Sequence, residues 1–184
     1  MRYVAFLRAI NVGGHTVTMA RLRELFEQMG FSDVETFIAS GNVIFTAGRQ
    51  DSAALQKKIE THLEKVLGYA VKAFLRSDAD LARIVAYKPF TAAKIKASRV
   101  LLVGFIDASL SKDVLKTWLA LKTNEDDFHH NERELYWLCK GGQSESKYFN
   151  TSFDKLLKMP ITFRNMNTVG KLAAKYPPPA AKPA

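Results

Sequence analysis

The sequence predicts an α+β fold in which the order β-α-β-β-α-β occurs twice and a final helix follows. Three observations predict it. Short apolar strand-like runs alternate with amphipathic runs of 11–17 residues along the whole chain. Glycine, proline and Asn/Asp/Ser clusters punctuate them. The first half and the second half run through the same series of elements.

Taken in order, Arg2–Leu7 is rich in Val, Phe and Leu and reads as a strand. Thr18 is placed to cap a helix over Met19–Met29, where Leu22, Leu25, Phe26 and Met29 line one face and Gly30 ends it. Asp33–Ala39 and Asn42–Ala47 read as strands joined tightly through Ser40-Gly41. Asp51–Leu67 is a second amphipathic helix, and Ala70–Leu75 a fourth strand. Ser77 can cap a short helix through Tyr87, with Pro89 interrupting anything helical beyond Lys88. The second series is Arg99–Ile106 (strand), Ser111–Lys122 (helix), Asp126–His130 and Glu134–Cys139 (a hairpin around Asn131-Glu132), Tyr148–Met159 (helix, with Phe149 and Phe153 inward) and Ile161–Phe163 (strand). A last helix spans Asn165–Tyr176, and Pro177-Pro178-Pro179 stops it. This order is the ferredoxin-like one. It gives a first subdomain over 1–76, a helical linker over 77–97, a second subdomain over 98–163, the C-terminal helix 164–176 and a mobile tail 177–184.

Composition narrows the function classes. The chain has 184 residues, 47% apolar and 24% charged, the balance of a globular protein. No apolar run reaches the ~20 residues that span a bilayer, and the N-terminus enters a strand pattern at once, so a cytoplasmic location with no membrane partner is expected. Cys139 is the one cysteine and lies in an apolar run, which predicts a buried, inert thiol. The net charge of +9, heavier in the second half, favours anionic partners in general. The adjacent His129-His130 point to opposite faces of a strand, and no carboxylate or cysteine stands at ligand spacing, so no metal site is expected. Nothing marks a catalytic residue, a cofactor or an oligomeric state.

Two connections carry more chemistry than a turn needs. Arg8-Ala9-Ile10-Asn11-Val12-Gly13-Gly14-His15 links the first strand to the first helix, longer than the usual 2–6 residues. It holds a cation (Arg8), an amide (Asn11) and two glycines (Gly13, Gly14), which suits an anion-binding loop; the plain alternative is a turn. Arg164-Asn165-Met166-Asn167-Thr168 links the last strand to the last helix, with Lys171 one turn on. It is a second anion-binding candidate, or a helix cap with an exposed arginine. The corner Ser40-Gly41-Asn42 and the loop ending in Ser146-Lys147 are further polar clusters.

These same segments carry a resemblance. Tyr3 to Gly14, Met19-Ala20-Arg21-Leu22-Arg23, Ser40-Gly41-Asn42-Val43-Ile44-Phe45, Ser146-Lys147 and Arg164 to Leu172 resemble, in order, the bacterial family catalogued as domain of unknown function 1697. One departure is Met166, where that family usually has Trp. The resemblance implies two ferredoxin-like subdomains and no mechanism. It implies that the loop positions shared with the family form a site: Arg8, Asn11, Gly13, Gly14, Ser40, Gly41, Asn42, Ser146, Lys147, Arg164, Asn165, Asn167, Thr168 and Lys171. The expectation is a protein binding a phosphate- or carboxylate-bearing small molecule or nucleotide in a cleft between the subdomains. The Arg8–Gly14 and Arg164–Lys171 loops would meet there, with Ser40–Asn42 as rim. On that expectation Arg164→Ala weakens binding by roughly 1.5–3 kcal/mol and barely changes stability. The alternatives are a nucleic-acid-binding module, which lacks paired exposed aromatics on Arg99–Ile106, and an enzyme acting on a phosphorylated metabolite, which lacks an identifiable general base.

Overall fold

A computed structural model of the chain describes residues 1–39 and 41–179. It separates into two units: Met1–Ala82 joined by the chain from Tyr176 on, and Arg83–Lys175. Each contains a four-stranded antiparallel sheet backed by helices.

In the first unit, β1 (Arg2–Arg8), α1 (Met19–Gln28), β2 (Ser32–Thr36), β3 (Asn42–Thr46), α2 (Ser52–Leu67) and β4 (Lys72–Ser77) follow the predicted order, and α3 (Asp78–Ala86) begins there. The sheet order is β2-β3-β1-β4. Helix starts are set by side chains: Thr18 Oγ1 accepts from Arg21 N at 3.1 Å and Asp51 Oδ1 from Ala54 N at 2.9 Å. Ser77 and Asp80 form a reciprocal cap, Asp80 N donating to Ser77 Oγ and Ser77 N to Asp80 Oδ2. Alternation along β1 sends Tyr3, Ala5 and Leu7 towards Leu22, Phe26, Leu55 and Ile59 on the helices. Phe45 sits in the middle of that core, its ring 4.6 Å from Phe31 and 5.3 Å from Phe26. The opposite face, Val4, Phe6, Ile44, Phe74 and Arg76, is buried too. Tyr176 returns to this unit, its hydroxyl donating to Glu35 Oε2 at 2.7 Å under the Arg2 guanidinium.

The second unit holds α4 (Ala92–Lys96), β5 (Val100–Phe105), α5 (Lys112–Leu119), β6 (Asp126–Asn131), β7 (Glu134–Cys139), α6 (Phe153–Leu157), β8 (Thr162–Asn165) and α7 (Met166–Lys175). Its sheet order, β6-β7-β5-β8, repeats that of the first unit. The core is aromatic: Trp137 lies 5.8 Å from Phe128 and 5.4 Å from Phe153, and Trp118 packs edge-on against both. The predicted α+β architecture of two ferredoxin-like subdomains and a C-terminal helix is therefore what the chain adopts.

The register of the two sheets exposes a repeat that identity does not show. Val4 lies between Ile44 and Arg76, and Val103 between Tyr136 and Arg164. Arg76 and Arg164 thus hold equivalent places near the ends of the edge strands β4 and β8. Both are buried, and each donates from its Nη1 to the carbonyl of the residue before it, Leu75 or Phe163, at 2.9 Å. A guanidinium folded back over an edge carbonyl occupies an acceptor that would otherwise invite another strand.

Several boundaries differ from the sequence reading. The helix expected over Tyr148–Met159 is only Phe153–Leu157. Ser146 Oγ accepts from Tyr148 N, Tyr148 O from Thr151 N, and the Tyr148 hydroxyl donates to Leu121 O at 2.6 Å, so residues 146–152 are spent on turns. Phe149, expected inward, is 52% exposed. Strand β2 stops at Thr36, three residues early, because Ile38 is left-handed. The second hairpin turns at Glu132-Arg133. Helix α4 is an unpredicted element, started by Thr91 Oγ1 accepting from Lys94 N. From Arg83 on, the expected linker packs on the second sheet: Arg83 reaches Glu134 at 3.3 Å and the Tyr87 ring lies 5.6 Å from that of Tyr136. Pro177–Pro179, expected to be a mobile tail, line a groove with Arg2 and Asp78; the rest of that tail, 180–184, lies outside the described residues, as does Ser40.

Candidate functional site

The β1–α1 loop is built from alternating backbone hand. Ala9 has φ +68°, Asn11 +56°, Gly13 +61° and Gly14 +87°, while Ile10 and Val12 between them keep negative φ. Alternation of this kind turns successive N–H groups to one side, and the resulting concavity suits an anion. Asn and Gly tolerate the left-handed region, but Ala does not favour it, so Ala9 is held there by its surroundings.

The surroundings are visible. Ile10 and Val17 are buried plugs. Asn11 Oδ1 accepts from Val17 N at 2.8 Å, and Asn11 Nδ2 donates to Ala39 O at 3.3 Å. His15 N donates to Val12 O, and Leu7 N to Gly41 O at 2.7 Å. Gly41 (φ +70°) lies so close that an added Cβ would stand 3.2 Å from Ile10 Cβ and 3.3 Å from Leu7 O. Asn42 is fully buried and donates to Phe37 O at 3.0 Å. Gly41 and Asn42 thus clamp the loop from beneath; Asn42 does not form an exposed rim. With the loop pinned at these points, the N–H groups of residues 10–14 donate to no described residue. Gly13 and Gly14 are exposed, with nothing within 4 Å of the space a Cβ would take. Val12 (58% exposed) and Ile38 (54%, φ +52°) are apolar side chains on the two tied loops. Arg8 closes β1 immediately before the loop.

The remaining sequence-derived candidates belong to the second unit and fall into separate clusters. Arg164 is buried, its Nη1 donating to Thr162 Oγ1 at 2.8 Å as well as to Phe163 O. Burial lowers its pKa to about 10, so it stays charged at neutral pH. Asn165 Oδ1 accepts from Asn167 N at 2.8 Å, the helix-capping role that the sequence offered. Asn165, Met166 and Asn167 line a cavity of about 260 Å³ with Ser98 and Arg99. Lys171 is exposed and Thr168 half-buried on α7. Ser146 is elsewhere: its Oγ donates to Asp126 Oδ2 at 3.0 Å beside Cys139, and Lys147 Nζ lies 4.9 Å over the Tyr148 ring.

Sequence reasoning missed the polar row under α3 and α4. The Tyr87 hydroxyl and His129 Nε2 share a hydrogen bond of 2.7 Å, and Lys94 Nζ donates to Asp127 at 2.6 Å with Lys122 Nζ at 3.6 Å. Lys94, Lys122, Lys140 and Asp127 surround a cavity of about 270 Å³ floored by Leu138. Burial works to raise the Asp127 carboxyl, but the Lys94 hydrogen bond and the charges of Lys122 and Lys94 prevail and hold it below the usual carboxylate range. The signal was faint, since α4 is five residues long and follows a proline.

Two chemical consequences follow. Burial first, then the Asp126 charge, pushes the Cys139 thiol up to about 12. At pH 8 about one thiol in 10⁴ is ionised, so alkylation of the native protein is expected to be negligible over hours and fast in denaturant, read by mass spectrometry. His129 is lowered, by burial first and then by the His130 charge, against an opposing pull from Asp127; Tyr87, Phe90 and Tyr136 complete its surroundings. The unfolded state therefore binds this proton more readily. The stability His129 contributes is present above its unfolded value of about 6.5 and is lost as pH falls through that value towards the folded one. Wild-type protein is expected to lose more thermal stability than His129→Gln between pH 7.5 and 5.5.

Among the described residues no group of three His, Cys, Asp or Glu side chains could hold a metal ion, and no helix is long and apolar enough to cross a membrane. No curated protein matches the chain. Among solved structures, the conserved bacterial protein SP0830 from Streptococcus pneumoniae is similar at 27% identity and a TM-score of 0.75, over 95% of this chain and 97% of that one. The model of the family described as "Protein of unknown function (DUF1697)" matches residues 1–136, which include the β1–α1 loop and its clamp and stop short of Ser146 and Arg164. The chain belongs to the DUF1697 family.

Proposed function

We propose that this protein binds a small anionic ligand, phosphate- or carboxylate-bearing, at the β1–α1 loop. The observation that carries the reading is the alternating hand of residues 9–13, continued by a second left-handed glycine, with the N–H groups of 10–14 donating to no described residue. Such a loop is costly, because Ala9 occupies a region that L-residues avoid, and so does Ile38 in the β2–β3 connection tied to it. It is also preorganised, since Asn11, Gly41 and the buried Ile10 fix it without a ligand. Arg8 supplies a neighbouring positive charge.

The test is a titration of inorganic phosphate into isotope-labelled protein, followed by amide resonances. Saturable shifts centred on residues 10–14 are expected. Arg8→Ala should weaken binding by roughly 1.5–3 kcal/mol, about 10- to 100-fold in Kd, as for loss of a hydrogen bond to a charged group. Shifts that never saturate, or that centre on another part of the chain, would sink the proposal.

A further inference from the structure

We infer that the ligand of the β1–α1 loop is a 5′-phosphorylated nucleotide whose base stacks on His15; this rests on the anion reading of the loop. His15 follows Gly14 directly, so its Cα lies about 3.8 Å from that of the last left-handed glycine. Its ring is stacked on Tyr69, with centroids 3.7 Å apart and planes 19° from parallel. Tyr69 itself is anchored. It packs against the apolar core of the first unit, and its hydroxyl is buried with no hydrogen-bond partner among the described residues. The His15 backbone is tied as well, through its N–H to Val12 O. An aromatic ring held on one face by a fixed tyrosine, in an exposed residue, presents its other face to solvent.

A fixed ring is what stacking on a base requires, because little side-chain freedom remains to be lost on binding. Phosphate alone would need only the loop. The stacked pair beside it supplies a second contact, for a planar group carried one sugar away from the phosphate. Exposed Val12 and Ile38 add apolar surface on the loops around the same corner. A sugar phosphate without a base could use the loop but would leave the His15 face unused.

The experiment compares inorganic phosphate, ribose 5-phosphate, adenosine 5′-monophosphate and a 5′-phosphorylated single-stranded oligonucleotide by calorimetry on the full chain. The nucleotide is expected to bind about fivefold or more tightly than ribose 5-phosphate, since base stacking on an aromatic side chain is worth ~1–3 kcal/mol. His15→Ala should erase that factor and leave ribose 5-phosphate affinity unchanged, and His15→Phe should restore it. Equal affinities for nucleotide and ribose 5-phosphate, or a preference that survives His15→Ala, overturn this inference while the anion reading stands. Loss of all four ligands overturns both. If the oligonucleotide binds more tightly than the mononucleotide by a factor that shrinks with added salt, the source is a nucleic-acid end; equal affinity assigns the site to free nucleotide.

Discussion

Arg164→Ala is expected to unfold the second unit early rather than to act on ligand binding. The guanidinium is buried, with Nη1 shared between Thr162 Oγ1 and Phe163 O. Truncation leaves those acceptors under-satisfied in a dry place and opens the volume of a long side chain. We expect a loss of about 3 kcal/mol, the sum expected from an unmet buried acceptor and a partly collapsed cavity. For a unit of this size the midpoint of thermal unfolding should fall by roughly 12–24 °C. Arg76→Ala, at the equivalent register position in the first sheet, should cost a similar amount there. The sequence reading expected the reverse for Arg164, with weakened binding and unchanged stability. A calorimetric scan decides: a midpoint within 2–3 °C of wild type, a loss below about 1 kcal/mol, would return Arg164 to the list of candidate ligand contacts.

That reversal shows what kind of information the sequence lacks. An arginine beside a helix N-terminus reads as exposed, because burial of a charge depends on strands far away in sequence. Pairing of β8 with β5 sets Arg164 beside the buried Val103, and that face of the sheet is covered. By contrast, the strands and the long helices were legible, since their signals are local. Leu22, Leu25 and Phe26 mark one face of α1, and Thr18, Asp51 and Ser111 each cap the helix that they were read to begin. Short elements were not: five residues of α4, or of α6, span little more than one turn and show no period. In the β1–α1 loop the glycines pointed to the right place, but the left-handed Ala9 there, and Ile38 between β2 and β3, could not be read, because neither residue type favours that region. The clamp made by Gly41 and Asn42 reads from sequence as an ordinary turn; its role depends on the approach of Ile10 and Leu7.

Asn11→Ala should separate the loop's shape from its charge. Asn11 contributes three things: a left-handed conformation that asparagine tolerates better than alanine, an acceptor for Val17 N, and a donor to Ala39 O. None of these is a ligand contact, and the residue is exposed. Global stability should therefore fall by only about 1 kcal/mol, the worth of one or two partly exposed hydrogen bonds. Binding should suffer more. Without the two ties, residues 9–14 are free to relax to right-handed or extended backbone, which turns the N–H groups away from one another. The ordering cost then falls at the moment of binding; fixing two residues costs about 1–2 kcal/mol each, which lowers phosphate affinity by roughly 30- to 1000-fold. Asn11→Gly keeps the left-handed preference and loses only the ties, so its affinity should lie between those of Asn11→Ala and wild type. If Asn11→Ala binds phosphate as wild type does, the loop is not the site. If it binds no worse than Asn11→Gly, the alternating hand of residues 9–13 is not what holds the anion.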